Sequence, residues 1–184
     1  MMLFADTAAG FDDPLGLLAA CHRRMESFCT TLEKLEAHVD AFGADDEART
    51  AARRVLEYFD RAAPQHHADE EIDLLPLLEY RADTGETRAA VAAWAARTAD
   101  EHGGQIVAWH RLREALVALT EKRAADPLAP SVFVSAVRSH YRFEDTEVFP
   151  LANALLTPSD LVRLGHCMAE RRGRALTEQD RWRA

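Results

Sequence analysis

Residues 66–76 read "HHADEEIDLLP" and residues 140–150 read "HYRFEDTEVFP". Overlaid, they match at His66/His140, Glu70/Glu144 and Pro76/Pro150. Asp145 stands for Glu71, Glu147 for Asp73, and Val148-Phe149 for Leu74-Leu75. Residues four apart share one face of a helix, so His-x-x-x-Glu offers an imidazole and a carboxylate to one point. That spacing alone decides little, because six of the eight histidines have Glu four positions later. In a Glu-rich helical chain most such pairs are solvated contacts.

The flanks separate the cases. His66 and Glu70 lie in line with Phe59, Ala63, Leu74 and Leu77, and His140 and Glu144 with Phe133, Val137, Val148 and Leu151. Both pairs therefore fall on apolar stripes that face a core. His22 shares a stripe with Leu15, Leu18, Met25 and Cys29, and His102 with Val91, Ala95, Ile106 and Trp109. His67 falls opposite Tyr141 in the overlay and is turned 100° from His66, so it takes an outer or surface place, as does Glu71. His38, His110 and His166 are read as structural or surface residues, His110 because its stripe also holds Gly103 and Glu121.

Working outward, "DP" at 13–14 starts a helix, with Asp13 as N-cap and Pro14 at the first helical position. Breaks follow at "FGADD" (42–46), "DTGE" (83–86) and "DPLAP" (126–130), and "TPSD" (157–160) caps a last short helix ending near Gly173. Pro64 and Pro76 are expected kinks in the second stretch, which runs from about Asp46 to Arg81. The expectation is an all-α fold: an up-down-up-down four-helix bundle with a short fifth C-terminal helix. A chain of 184 residues with 48% apolar content is read as one domain over 1–184, its core about 12–173 and its ends flexible.

A net charge of −9 argues against nucleic acid as partner. The locally basic "RRGRALTEQDRWRA" is read as a solvated helix end and tail. The N-terminus lacks a basic n-region, and no apolar run is long enough to span a membrane. Cys21, Cys29 and Cys167 are few and odd in number, which fits a reducing, cytoplasmic compartment.

Inward His22, His66, Glu70, His102, His140 and Glu144 cannot all stay unpaired in a bundle core. Each buried polar group without a partner costs about 1–3 kcal/mol. A metal centre would satisfy the whole set. Six ligands suit two ions, with Glu70 and Glu144 bridging. Imidazole and carboxylate without thiolate favours iron, with manganese and zinc as alternatives. No Glu lies three residues before any histidine, so the Glu-x-x-His pattern of ferritin-like bundles is absent.

The ordered set His, His-x-x-x-Glu, His, His-x-x-x-Glu resembles the hemerythrin-like, or HHE cation-binding, family. The resemblance rests on "DPLGLLAACHRRM", "HHADEEIDLLP", "DEH" and "HYRFEDTEVFP", and "CMAERRG" is similar to the end of such domains. It implies a non-haem di-iron centre handling O2, NO or peroxide, with an unnamed redox partner. O2 carriers of the family place a fifth histidine four after the third, where this chain has Ile106, and an Asp five after the last, matched here by Asp145. The four-His, two-Glu set is more similar to relatives linked to nitric-oxide stress and iron–sulfur cluster repair. Glu26, four after His22, is expected to hydrogen-bond His22 from outside the ligand set. A di-iron oxidoreductase (peroxidase, NO reductase or iron–sulfur repair) and a metal-free helical interaction domain are the alternatives.

Overall fold

The computed structural model describes residues 9–123 and 127–174, and those residues form helices and turns without strands. The N-terminal segment judged above for a leader, and most of the basic tail, lie outside them. Helix α1 spans Pro14–Phe42, and the Asp13 side chain accepts from the Gly16 N–H as foreseen. Helix α2 spans Asp46–Ala68, capped by Asp45. It continues through a π-helical turn, Asp69–Leu74, into α3, Leu75–Arg81. Helix α4 spans Gly85–Thr120 behind a Thr84 cap. Helix α5, Ser131–Phe143, passes through a second π turn, Glu144–Val148, into α6, Phe149–Leu155. Helix α7, Pro158–Arg171, opens on a capping box of Thr157 and Asp160.

Pro64 sits inside α2 without ending it. Pro76 and Pro150 act differently. Each follows a π turn in which the residue before the proline donates to the glutamate five back: Leu75 to the Glu70 carbonyl and Phe149 to the Glu144 carbonyl. Proline has no N–H, and its ring crowds the carbonyl four residues back. The widened turn accommodates this, and π turns of this kind gather at functional sites. In the first of them Asp69 and Glu70, adjacent in sequence, are both fully buried.

Helix α1 packs on α2 and α5, and α4 packs on the same two, so the long helices close a ring. Their apolar residues form two clusters. One holds Met25, Ala63, Trp109, Phe133 and Val137; the other holds Leu18, Leu74, Leu78, Phe143, Val148 and Met168. His22 lies between Leu18 and Met25, His66 between Ala63 and Leu74, and His140 between Val137 and Phe143. The polar residues thus form a slab across the bundle, with an apolar layer on either side.

Helix α7 closes the second cluster with Leu164 and Met168. It approaches the chain ahead of α1 so tightly that a Cβ at Gly165 would overlap the Phe11 carbonyl. Its C-terminal Arg171 and Arg172 both grip the buried Asp69, Arg172 at 2.6 Å, and Arg171 also holds Asp73 at 2.7 Å.

Candidate metal centre

The structure brings His22, His66, Glu70, His102, His140 and Glu144 into one buried cluster. Two groups of four donors can each surround a point: His22, His66, Glu70 and Glu144, and Glu70, His102, His140 and Glu144. The two glutamates belong to both groups. Glu70 Oε1 lies 2.9 Å from His66 Nε2 and 3.7 Å from His22 Nε2, while its Oε2 lies 3.4 Å from His102 Nε2. Glu144 Oε2 lies 3.3 Å from His22 Nε2 and 3.2 Å from His140 Nε2.

All four imidazoles present Nε2 to the centre, and three bind carboxylates with Nδ1. His22 Nδ1–H donates to Asp145 at 2.8 Å, His102 Nδ1–H to Glu71 at 2.5 Å, and His140 Nδ1–H to Glu101 at 2.8 Å. A neutral imidazole carries one proton, so an Nδ1 donor leaves a bare lone pair on Nε2. Yet the Nε2 atoms of His102 and His140 face each other at 2.7 Å, and those of His22 and His66 at 3.0 Å. With Nδ1 donating on both His102 and His140, two neutral rings have no proton left to bridge them, and only an added proton or a metal cation can stand between. Both oxygens of Glu70, and Oε2 of Glu144, have no hydrogen-bond partner either. Opposed lone pairs and unpaired carboxylate oxygens in a buried core call for cations. The donor set therefore fits a metal centre.

Electrostatics lead the same way. Burial opposes a charge on His22, but Asp145, Glu144 and Glu70 outweigh it and push its pKa up to about 11 in the metal-free protein. Burial likewise opposes charge on His66, and Glu70 with Cys21 overrides it, to about 10. Against its own burial, Glu70 is held well below the usual carboxylate range by His66, His102 and His22. The cluster draws positive charge inward, as protons where no metal is held.

Several residues stand elsewhere than expected. Glu26 does not reach His22. Arg138 takes it at 2.8 and 2.9 Å, and the Tyr141 hydroxyl donates to it at 2.5 Å. Opposite charge and a phenol outbid an imidazole already engaged by Asp145. Asp145 joins neither donor group; it orients His22 from a half-exposed position. Of the two places expected for His67, it takes the outer one beside the donors and not the surface. It is half-buried, with its ring stacked on His102 at 3.6 Å between centroids. Burial and the neighbouring His102 push its pKa down to about 2. Asp69 turns from the donors but is buried in the grip of α7. Ile106 is 48% exposed and leaves the inward stripe of α4, which runs instead through Thr98, His102, Gln105 and Trp109. Of the other histidines, His110 is exposed, His166 is half-buried, and His38 pairs with Asp45.

Glu101, the acid on His140 Nδ1, leaves no signal in the sequence because neither repeat carries it. The orienting acids Glu71 and Asp145 left a signal: each follows the repeat's glutamate directly.

A family model described as the Hemerythrin HHE cation binding domain matches residues 13–152. An uncharacterized protein of Haemophilus influenzae is 37% identical over 70 residues, a match spanning 38% of this chain and 41% of that protein. Helix α7 lies beyond the family match.

Proposed function

Because the chain belongs to the hemerythrin HHE cation-binding domain family, we propose that it is a non-haem di-iron protein that binds, senses or handles O2, NO or peroxide. His22 and His66 would hold one iron, His102 and His140 the other, and Glu70 and Glu144 both. The opposed Nε2 lone pairs of His102 and His140, each fixed by a carboxylate on Nδ1, carry this reading. When bound, the irons supply Lewis-acid positions and one-electron redox chemistry.

The protein's own groups set the conditions. Glu71, Glu101 and Asp145 keep a proton on Nδ1 of their histidines and so fix which nitrogen faces inward. The two glutamates bring two negative charges that balance cations without thiolate. Phe149, stacked on the His22 ring at 5.1 Å, and the apolar clusters on either side keep bulk water from the slab. The short links and the closed ring of α1, α2, α4 and α5 support an up-down-up-down bundle acting as a single domain. No helix among the described residues is long and apolar enough to cross a membrane. A cytoplasmic site of action belongs to the same proposal.

Metal analysis after anaerobic iron loading is the test. About two irons per chain are expected, with a visible band that changes on adding azide. A folded protein that takes up no iron would overturn the reading and favour a metal-free interaction domain. Turnover of peroxide or NO beyond one equivalent would make it an oxidoreductase; stoichiometric binding would make it a carrier or sensor.

A further inference from the structure

The four imidazoles of the centre are not equally served. His22, His102 and His140 each turn Nδ1–H to a carboxylate: Asp145, Glu71 and Glu101. His66 does not. It is 1% exposed, and its Nδ1 is enclosed without a hydrogen-bond partner. The group that bears on His66 from α1 is the Cys21 thiol, at a point where the Cys21 carbonyl accepts from Tyr58 of α2 at 3.3 Å. Sulfur is a weak acceptor and a weak donor, and it does not replace a carboxylate.

The shortfall falls on one half of the centre. His102 and His140 are both oriented by acids, whereas of His22 and His66 only the first is. The two pairs also differ when no ion is held. As neutral rings, His66 can donate from Nε2 across 3.0 Å to the bare Nε2 of His22, which leaves on its Nδ1 a lone pair that needs no acceptor. His102 and His140 cannot do this, because both protons sit on Nδ1. To take an ion, His22 and His66 must give up their hydrogen bond, and His66 must carry its proton on Nδ1, where no carboxylate receives it. A buried N–H so placed is costly. His102 and His140 give up no bond, and two opposed lone pairs are relieved.

We propose that the two metal positions are unequal: His102 and His140 hold their ion tightly, while His22 and His66 hold theirs more weakly and release it first. This order rests on the di-iron reading and adds to it which ion exchanges. An acid on a ligating histidine is worth about 10–100-fold in affinity, so a gap of about that size is expected. His66 is the positioning residue that sets it, with Cys21 where an acid is lacking.

The test is an anaerobic titration of the full chain with ferrous iron against a chromophoric chelator. Repulsion between neighbouring cations separates two steps in any such centre, so single-site variants decide which half fills first. His66→Ala should keep one ion at about the affinity of the wild-type first step. His140→Ala should lose that step and keep an ion about 10–100-fold weaker. Glu71→Gln and Glu101→Gln, added together to His66→Ala, should weaken its ion by at least as much, with helical circular dichroism retained. A second readout needs no substitution: one equivalent of cobalt(II) on the wild type should give contact-shifted ring signals from His102 and His140 and not from His66. Equal or tighter binding by His140→Ala, no effect of the paired glutamines, or contact shifts at His66 first would each overturn the proposal and leave the di-iron reading standing. A folded wild type that takes up no iron overturns both.

Discussion

Glu71 and Asp145 are the residues through which each repeat reaches beyond itself. Both are half-exposed, yet each fixes a fully enclosed imidazole on another helix. Removing their charge at constant shape should leave the fold intact. Glu71→Gln and Asp145→Asn are each expected to weaken iron binding by about 10–100-fold, read by competition with a chromophoric chelator. His66→Ala and His140→Ala should go further and abolish uptake at their half of the centre, with helical circular dichroism retained. A helical protein whose iron content is unaffected by either alanine would show that the cluster is only a packed polar core.

At the scale of the element, helix α7 is a brace. Asp69 is fully buried with Arg171 and Arg172 on it, next to Glu70. Asp69→Ala would leave two arginines facing an apolar gap. A loss of about 2–3 kcal/mol is expected, less than for a wholly enclosed pair because both arginines are partly solvated; urea unfolding measures it. The other end of α7 gives a pH prediction. Arg81 donates to both Asp160 oxygens at 2.8 Å and holds that carboxyl well below its ordinary range. A lowered folded-state pKa stabilises above the unfolded value, about 4, and the gain is lost as pH falls through the folded value. Stability should therefore drop in acid, and Arg81→Met should flatten that drop when midpoints are compared from neutral pH down to about pH 3.

The elements also show what the sequence discloses. Caps at Asp13 and Thr157, and breaks at Gly43 and Asp83, are local chemistry and can be read from neighbours alone. The inward histidines were legible because a three-four periodicity sets each among apolar residues. Gln105 was not, since polarity alone argued for the surface and the apolar Ile106 took its place. Glu26 misled for a related reason. Its spacing from His22 is local, whereas Arg138, its actual partner, is 112 residues away. The clamp on Asp69 and the π turns likewise depend on contacts or backbone widening that no spacing rule encodes.

For the whole molecule, stability and metal content should rise together. Iron held only by the folded state adds about 2.7 kcal/mol at a free concentration a hundred times its dissociation constant. The iron-loaded protein should melt several degrees above the chelated one by calorimetry, and His102→Ala should erase most of that difference.

The two donor groups carry one more consequence. The first takes three donors from the segment before the Asp83 turn and borrows Glu144; the second takes three from beyond it and borrows Glu70. The orienting acids are traded as well, Glu71 outward and Asp145 back. Neither piece alone can enclose an ion, so metal affinity is in part affinity between the pieces. Expressed separately and mixed, 1–83 and 84–184 should behave as ligand-gated partners, co-eluting when ferrous iron is supplied and parting when a chelator is added. The metal would then act as the stitch between two chains with no peptide bond between them.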